Sequence, residues 1–217
     1  MILKLVDHIK KHVELNSADI ENISNSFTIK TFAKKGHLLK ESQLCEESYF
    51  VIKGCLRLYS ICQDDKEQII QFSIENWWMA DFRSFENGAK SIYNIQALED
   101  SVVAVLHRGN QSELFEKVPQ LEKYFRIIFQ NAYSASLWRI NHIFCKTGEE
   151  RYYQFIKLFP EFVQRIPQYM LASFLGLAEQ LFENHMRNRA ARSANNYFLF
   201  WFYEGRRCTA PIRCESP

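Results

Sequence analysis

The spacing of apolar residues changes twice along the chain, and each stretch predicts its own kind of element. Ile2, Leu5, Val6 and Ile9 recur at helical intervals, and Asn16-Ser17-Ala18-Asp19 then supplies a loop and cap before Ile20 and Ile23. From Ser26 to Leu106 the period drops to two. Phe27, Ile29 and Phe32 alternate with polar residues; Tyr49–Ile52 runs into Lys53-Gly54 and then Leu56, Leu58 and Tyr59; Ile69–Ile74 forms another run. Ile95 and Ala97, then Val102–Leu106, give two more, parted by Glu99-Asp100-Ser101. Short strands with regular turn signals predict an all-β barrel or roll. Gly36, Gly54 and Gly88 fall at the junctions, where positive φ is cheap for glycine.

From Gln120 to Cys145 the period returns to that of a helix, and two stripes run along it. One is Leu121, Phe125, Ile128, Ala132 and Ala135; the other is Phe129, Tyr133, Leu137 and Ile140. A helix apolar on two faces has two partners to satisfy. A buried core helix would do this, as would a dimer spine with one stripe on its own domain and the other on a second copy. The first stripe, with two small alanines that admit close approach, is the expected dimer seam. Beyond it, Thr147 followed by Glu150 is a capping box that starts a new helix, with Tyr152, Phe155, Ile156 and Phe159 on its apolar face and Pro160 as its stop. A short helix then runs from Gln168 to Leu175 and ends at Gly176.

Composition narrows the class. The 217 residues are 47% hydrophobic, enough for a real core. No apolar run approaches the roughly 18 residues that cross a bilayer, and the lysines of the first segment exclude a signal peptide. The six cysteines include no Cys-x-x-Cys pair, which fits reduced thiols in a cytoplasmic protein. The cysteines lack the close spacing of a metal cluster and no phosphate loop or nucleophile elbow is present, so neither a metal site nor an enzyme is expected. The net charge of +2 decides nothing about nucleic acid.

Lys35-Gly36-His37-Leu38-Leu39, the Tyr49–Tyr59 strand pair with its glycine, and Gln96-Ala97-Leu98-Glu99-Asp100-Ser101 together resemble a cyclic-nucleotide-binding β-roll. Gln168–Leu177, with Ala172 where two helices cross and Gly176 four residues later, has the spacing of the first half of a helix-turn-helix. In this order the elements resemble the Crp/Fnr transcription regulators. The resemblance implies an α+β chain in three parts: a β-roll sensor over residues 1–118, a dimerisation helix over 119–146 and a winged helix-turn-helix domain over 147–217. It implies a homodimer, DNA as partner and a small-molecule effector, with no membrane association.

Two departures qualify it. Counted back from Ala97, the family's phosphate-binding arginine falls on Ser91, its hydroxyl neighbour on Ile92 and its ribose-binding glutamate near Asp81. Lys90 offers a point charge but not a planar fork. The usual mode of cAMP binding is therefore not expected, and the effector is left open; Asp81, Phe82, Lys90, Ser91 and Ile92 mark the pocket. Trp77, Trp78, Phe82 and Phe85 would line it or pack in the core. After Leu177 the family pattern fades, with Glu183 and Asn184 where a serine and an arginine are expected. Gln168, Ser173, Arg187, Arg189 and Arg192 are the DNA-contact candidates. Tyr197–Tyr203 reads equally as a wing strand or as an altered reading of the C-terminus.

Overall fold

A computed structural model describes residues 1–177. The expected contact residues Arg187, Arg189 and Arg192, and the region 178–217 as a whole, lie outside the described residues. Two short helices open the chain, α1 (Leu3–Lys10) and α2 (Ser17–Ser26). Helix α2 starts one residue after Asn16, whose side chain accepts from Asp19 N while Asp19 accepts from Asn16 N, a reciprocal cap.

Eight strands follow: β1 (Phe27–Phe32), β2 (His37–Leu39), β3 (Glu47–Lys53), β4 (Leu56–Ile61), β5 (Glu67–Ser73), β6 (Trp78–Met79), β7 (Asn94–Ala97) and β8 (Ser101–His107). They form two antiparallel four-stranded sheets, ordered β1-β8-β3-β6 and β2-β7-β4-β5. One core fills the space between the sheets, with Val51, Leu56, Met79, Phe85, Ile95 and Val103 among its members. The opposite face of the first sheet, through Phe50, Ile52, Trp78 and Leu106, packs against α1 and the start of the long helix. Strand β3 is thus buried on both faces, which is why Tyr49–Ile52 reads as an unbroken apolar run.

Two of the three expected glycine turns carry positive φ, Gly54 at 109° and Gly88 at 65°. At the third, Lys35 holds the positive φ and Gly36 serves a different need. A Cβ there would come within 2.9 Å of the Ala33 carbonyl oxygen.

Between and after the strands lie α3 (Phe82–Asn87), α4 (Arg108–Lys117), the 26-residue α5 (Gln120–Cys145), α6 (Gly148–Leu158), α7 (Pro160–Arg165) and α8 (Gln168–Leu175). At about 1.5 Å per residue, α5 is about 39 Å long, and only its first turns carry buried residues, Leu121, Tyr124 and Phe125. The Thr147–Glu150 box caps α6 as expected. Pro160 ends α6 but also opens α7 from its first position, where a missing N–H costs nothing. Gly176, at φ 63°, caps α8.

Burial divides the expected dimer seam within the protomer. Leu121 and Phe125 lie inside the protomer's own core with Tyr124, and Ile128 packs against the same cluster. Ala132 and Ala135 face a cavity within the protomer. The outward stripe is the other one: Phe129, Tyr133, Leu137 and Ile140 are each 42–65% exposed, and Phe144 is 83% exposed. Both stripes are apolar, and packing against α1, α4 and the roll covers the start of the first, Leu121, Phe125 and Ile128.

Candidate functional site

The effector pocket implied by the resemblance would sit around α3 and the segment entering β7. There Asp81 caps α3, its Oδ1 accepting from Ser84 N at 3.2 Å. Its other oxygen accepts from the Ser91 hydroxyl at 2.7 Å, and Ser91 Oγ in turn accepts from Tyr93 N at 3.0 Å. Both side chains are buried. An acidic side chain therefore stands where the resemblance would place a phosphate, and a ligand brought to Ser91 would have to displace it from the hydroxyl. Lys90 and Ile92 point to solvent instead of joining the pair. Phe82 is half-buried with its ring edge-on to Phe129, 4.8 Å away. Trp78 and Phe85 are core residues, and Trp77 lines a cavity elsewhere. The five expected pocket residues thus converge only at Asp81 and Ser91, whose polar atoms already satisfy each other.

The long helix is pinned to the roll at its first turns. Trp78 Nε1 donates to the Tyr124 hydroxyl at 2.8 Å, and His8 Nδ1 lies 2.9 Å from the same oxygen. Burial, with His12 and Lys11 adding to it, holds His8 down at about 4. The ring is therefore neutral at pH 7.

The C-terminal helices dock on the second sheet. Cys55, Tyr59, Ile69 and Phe72 of the roll share a core with Tyr152, Phe155, Phe162, Met170, Leu171 and Leu175. Two polar latches fix the orientation. Arg165 grips Glu75 through both of its terminal nitrogens, at 2.9 and 3.1 Å, and also reaches Glu99. Ser173 Oγ accepts from Ile69 N at 2.9 Å and donates to the Glu67 carbonyl at 3.1 Å, while Gln68 donates to the Ser173 carbonyl at 2.7 Å. Strand β5 is the last of its sheet, and Ser173 covers main-chain groups that an edge strand leaves unpaired.

Ser173 and Gln168, the DNA-contact candidates on α8, both make hydrogen bonds within the protomer. Gln168 accepts from the Tyr152 hydroxyl at 3.3 Å, and Ser173 is spent on the roll. The latch could not be read from the sequence, because it joins residues more than a hundred positions apart. A cavity of about 260 Å³ lies where β5, α5 and α6–α8 meet, walled by Phe72, Trp77, Ala135, Arg139, Phe162 and Phe174 among others. It takes no lining from Asp81 or Ser91. Among the described residues no group of three or more acidic, histidine or cysteine side chains could hold a metal, and no helix is long and apolar enough to cross a membrane.

The fold has many relatives among solved structures. FixK2 from Bradyrhizobium japonicum is 16% identical, with a TM-score of 0.64 over 76% of this chain and 85% of that one. The c-di-GMP responsive global regulator CLP of Xanthomonas campestris is 12% identical, with a TM-score of 0.65 over 81% and 92%. A protein of the Crp/Fnr family from Eubacterium rectale is 18% identical, with a TM-score of 0.63 over 82% and 84%. At such identities the likeness establishes the architecture alone. No curated protein matches the chain. Residues 29–118, the β-roll with the helix that closes it, match the family model of the cyclic nucleotide-binding domain.

Proposed function

We propose that this chain is a bacterial DNA-binding transcription regulator of the Crp/Fnr type. Its cyclic-nucleotide-binding-like roll is the sensor, the long helix is the dimer spine and the C-terminal helices begin a helix-turn-helix. The observation that carries the reading is the outward face of α5. A helix about 39 Å long leaves Phe129, Tyr133, Leu137 and Ile140 in water on a single face, a surface that a second copy would cover with the same residues. The order of the elements supports it, as does the likeness to a Crp/Fnr-family fold. In this reading the effector favours one register of the paired spines, which sets the spacing of two recognition helices to about one DNA turn. The Asp81–Ser91 pair argues that the effector is not cAMP held in the usual mode.

A second reading has one observation in its favour. Ser173 and Gln168 are turned into the protomer, as suits a dimeric sensor module whose DNA-reading half is degenerate. Fluorescence anisotropy with labelled upstream duplexes separates the two. If Arg187, Arg189 and Arg192 of both copies each neutralise a phosphate, affinity should fall roughly a thousandfold between 50 and 200 mM salt. Micromolar protein with no salt-sensitive binding would favour the sensor module.

A further inference from the structure

We propose that the cavity where the roll, the spine and the C-terminal helices meet is a ligand site for an apolar-bodied organic anion, a carboxylate on a compact hydrophobic frame. The inference goes beyond the regulator reading and does not depend on DNA binding.

The cavity's walls are of two kinds. Phe72, Trp77, Trp138 and Phe162 supply aromatic surface, and Ala132 and Ala135 keep the spine side open. At about 260 Å³ the space exceeds the roughly 150 Å³ apolar cavity that accepts benzene, so a bicyclic aromatic acid has room. A nucleotide is a poor fit, because its ribose and base would find few partners on such walls.

The charged wall selects the sign. Arg139 and Arg151 both line the cavity, and no aspartate or glutamate does. Arg139 donates to the Ile70 carbonyl, and its guanidinium lies 4.8 Å from the centre of the Phe174 ring. Among the described residues it has no carboxylate partner. Burial alone lowers its pKa, the mark of a cation that has lost water without gaining a counter-ion. Arg151 spends its terminal nitrogens on the main-chain carbonyls of Ile143, Lys146 and Gly176, and its Nε is buried without a partner. His142 points Nδ1 at the Trp138 carbonyl at 2.8 Å, which leaves Nε2 uncommitted. The other arginines that pair do so with glutamates, Arg57 with Glu67 and Arg165 with Glu75 and Glu99. Arg139, which spends one terminal nitrogen on Ile70, is left for a carboxylate from outside, which a guanidinium can grip with two parallel bonds, while Arg151 adds positive charge to the same wall. A molecule held there touches β5, α5 and α6–α8 together, so it stabilises the arrangement in which the three close on one another.

The test uses the full chain and two matched probes, naphthalene-2-carboxylate and its neutral amide, titrated by calorimetry and by quenching of tryptophan fluorescence. The acid should bind, the amide at least about tenfold more weakly, as a charge-assisted contact requires. Arg139→Met should bring the acid down to the amide's affinity. Ala135→Phe, which fills the cavity from the spine, should abolish both. Equal binding of acid and amide to the wild-type chain would overturn the proposal. So would acid binding that survives both substitutions, or folded wild-type protein that takes up no acid at millimolar concentration. The wild-type comparison decides even where a variant fails to fold. A failure here together with intact salt-sensitive DNA binding would remove the site and leave the regulator reading standing.

Discussion

Acid should loosen the spine from the sensor, and His8 is the group that makes it do so. The ring is 4% exposed and faces the Tyr124 hydroxyl, which already accepts from Trp78. Its pKa is about 4 in the folded chain against 6.5 when unfolded. Between those values the unfolded chain binds more protons than the folded one, so stability is full above pH 6.5 and is lost progressively as pH falls toward 4. The gap corresponds to about 3 kcal/mol in total, of which about 2 kcal/mol is gone by pH 5. His12 is lowered in the same sense by burial and by Lys11, and adds to the slope. The assay is urea unfolding at pH 7.5, 6 and 5, for the wild-type chain and for His8→Phe. With a slope near 2 kcal/mol per molar urea, the wild-type midpoint should fall by about 1 M between pH 7.5 and 5. His8→Phe should start lower by about 1 kcal/mol for the lost hydrogen bond and then keep only the pH dependence that His12 contributes. Parallel loss in the two proteins would refute the assignment of the proton to this ring.

Three substitutions probe the remaining joints. Arg165→Ala removes the grip on Glu75 and Glu99, and should weaken docking of the C-terminal helices by about 1–3 kcal/mol, read as faster amide exchange across α7 and α8 with the roll's central strands unchanged. Ser173→Ala should free the Ile69 amide, raising its exchange rate about tenfold for a loss of about 1–1.5 kcal/mol. Gly54→Ala should cost about 2–4 kcal/mol in thermal unfolding, since its φ is 109° and the new Cβ would lie 2.7 Å from the Ser101 Cα, a backbone atom with little freedom to move.

The roll was largely legible because its strands carry their burial as period-two runs and its turns carry glycine. The long helix was legible for the same reason at a different period. Helices α3, α4 and α7 were not. Helix α4 buries only Leu114 along its length, so no apolar stripe marks it, and α3 and α7 span six residues each, under two turns. On α5 both stripes are visible in the sequence, but choosing the first as the seam from its small alanines takes no account of what covers it. The ranking depends on α1 and the roll, which cover Leu121 and Phe125 from distant parts of the chain. Similarly, Ser91 and Asp81 were recognisable as departures from a phosphate site, but their mutual hydrogen bond joins positions ten residues apart across α3. The docking of α8 on β5 and the unpaired arginines at the junction exist only in three dimensions.

The claim on which the regulator reading depends is that two copies meet along the outward face of α5. Light scattering over a range of concentrations tests it most directly, comparing the wild-type chain with Leu137→Glu. Leu137 is 47% exposed within the protomer, so the substitution should leave the fold's thermal stability nearly unchanged while placing a charge in the seam. Wild-type protein at twice the 25.8 kDa of one chain, and the variant at the single-chain mass, is the predicted result. Single subunits at every concentration, or a dimer that Leu137→Glu leaves intact, would contradict it.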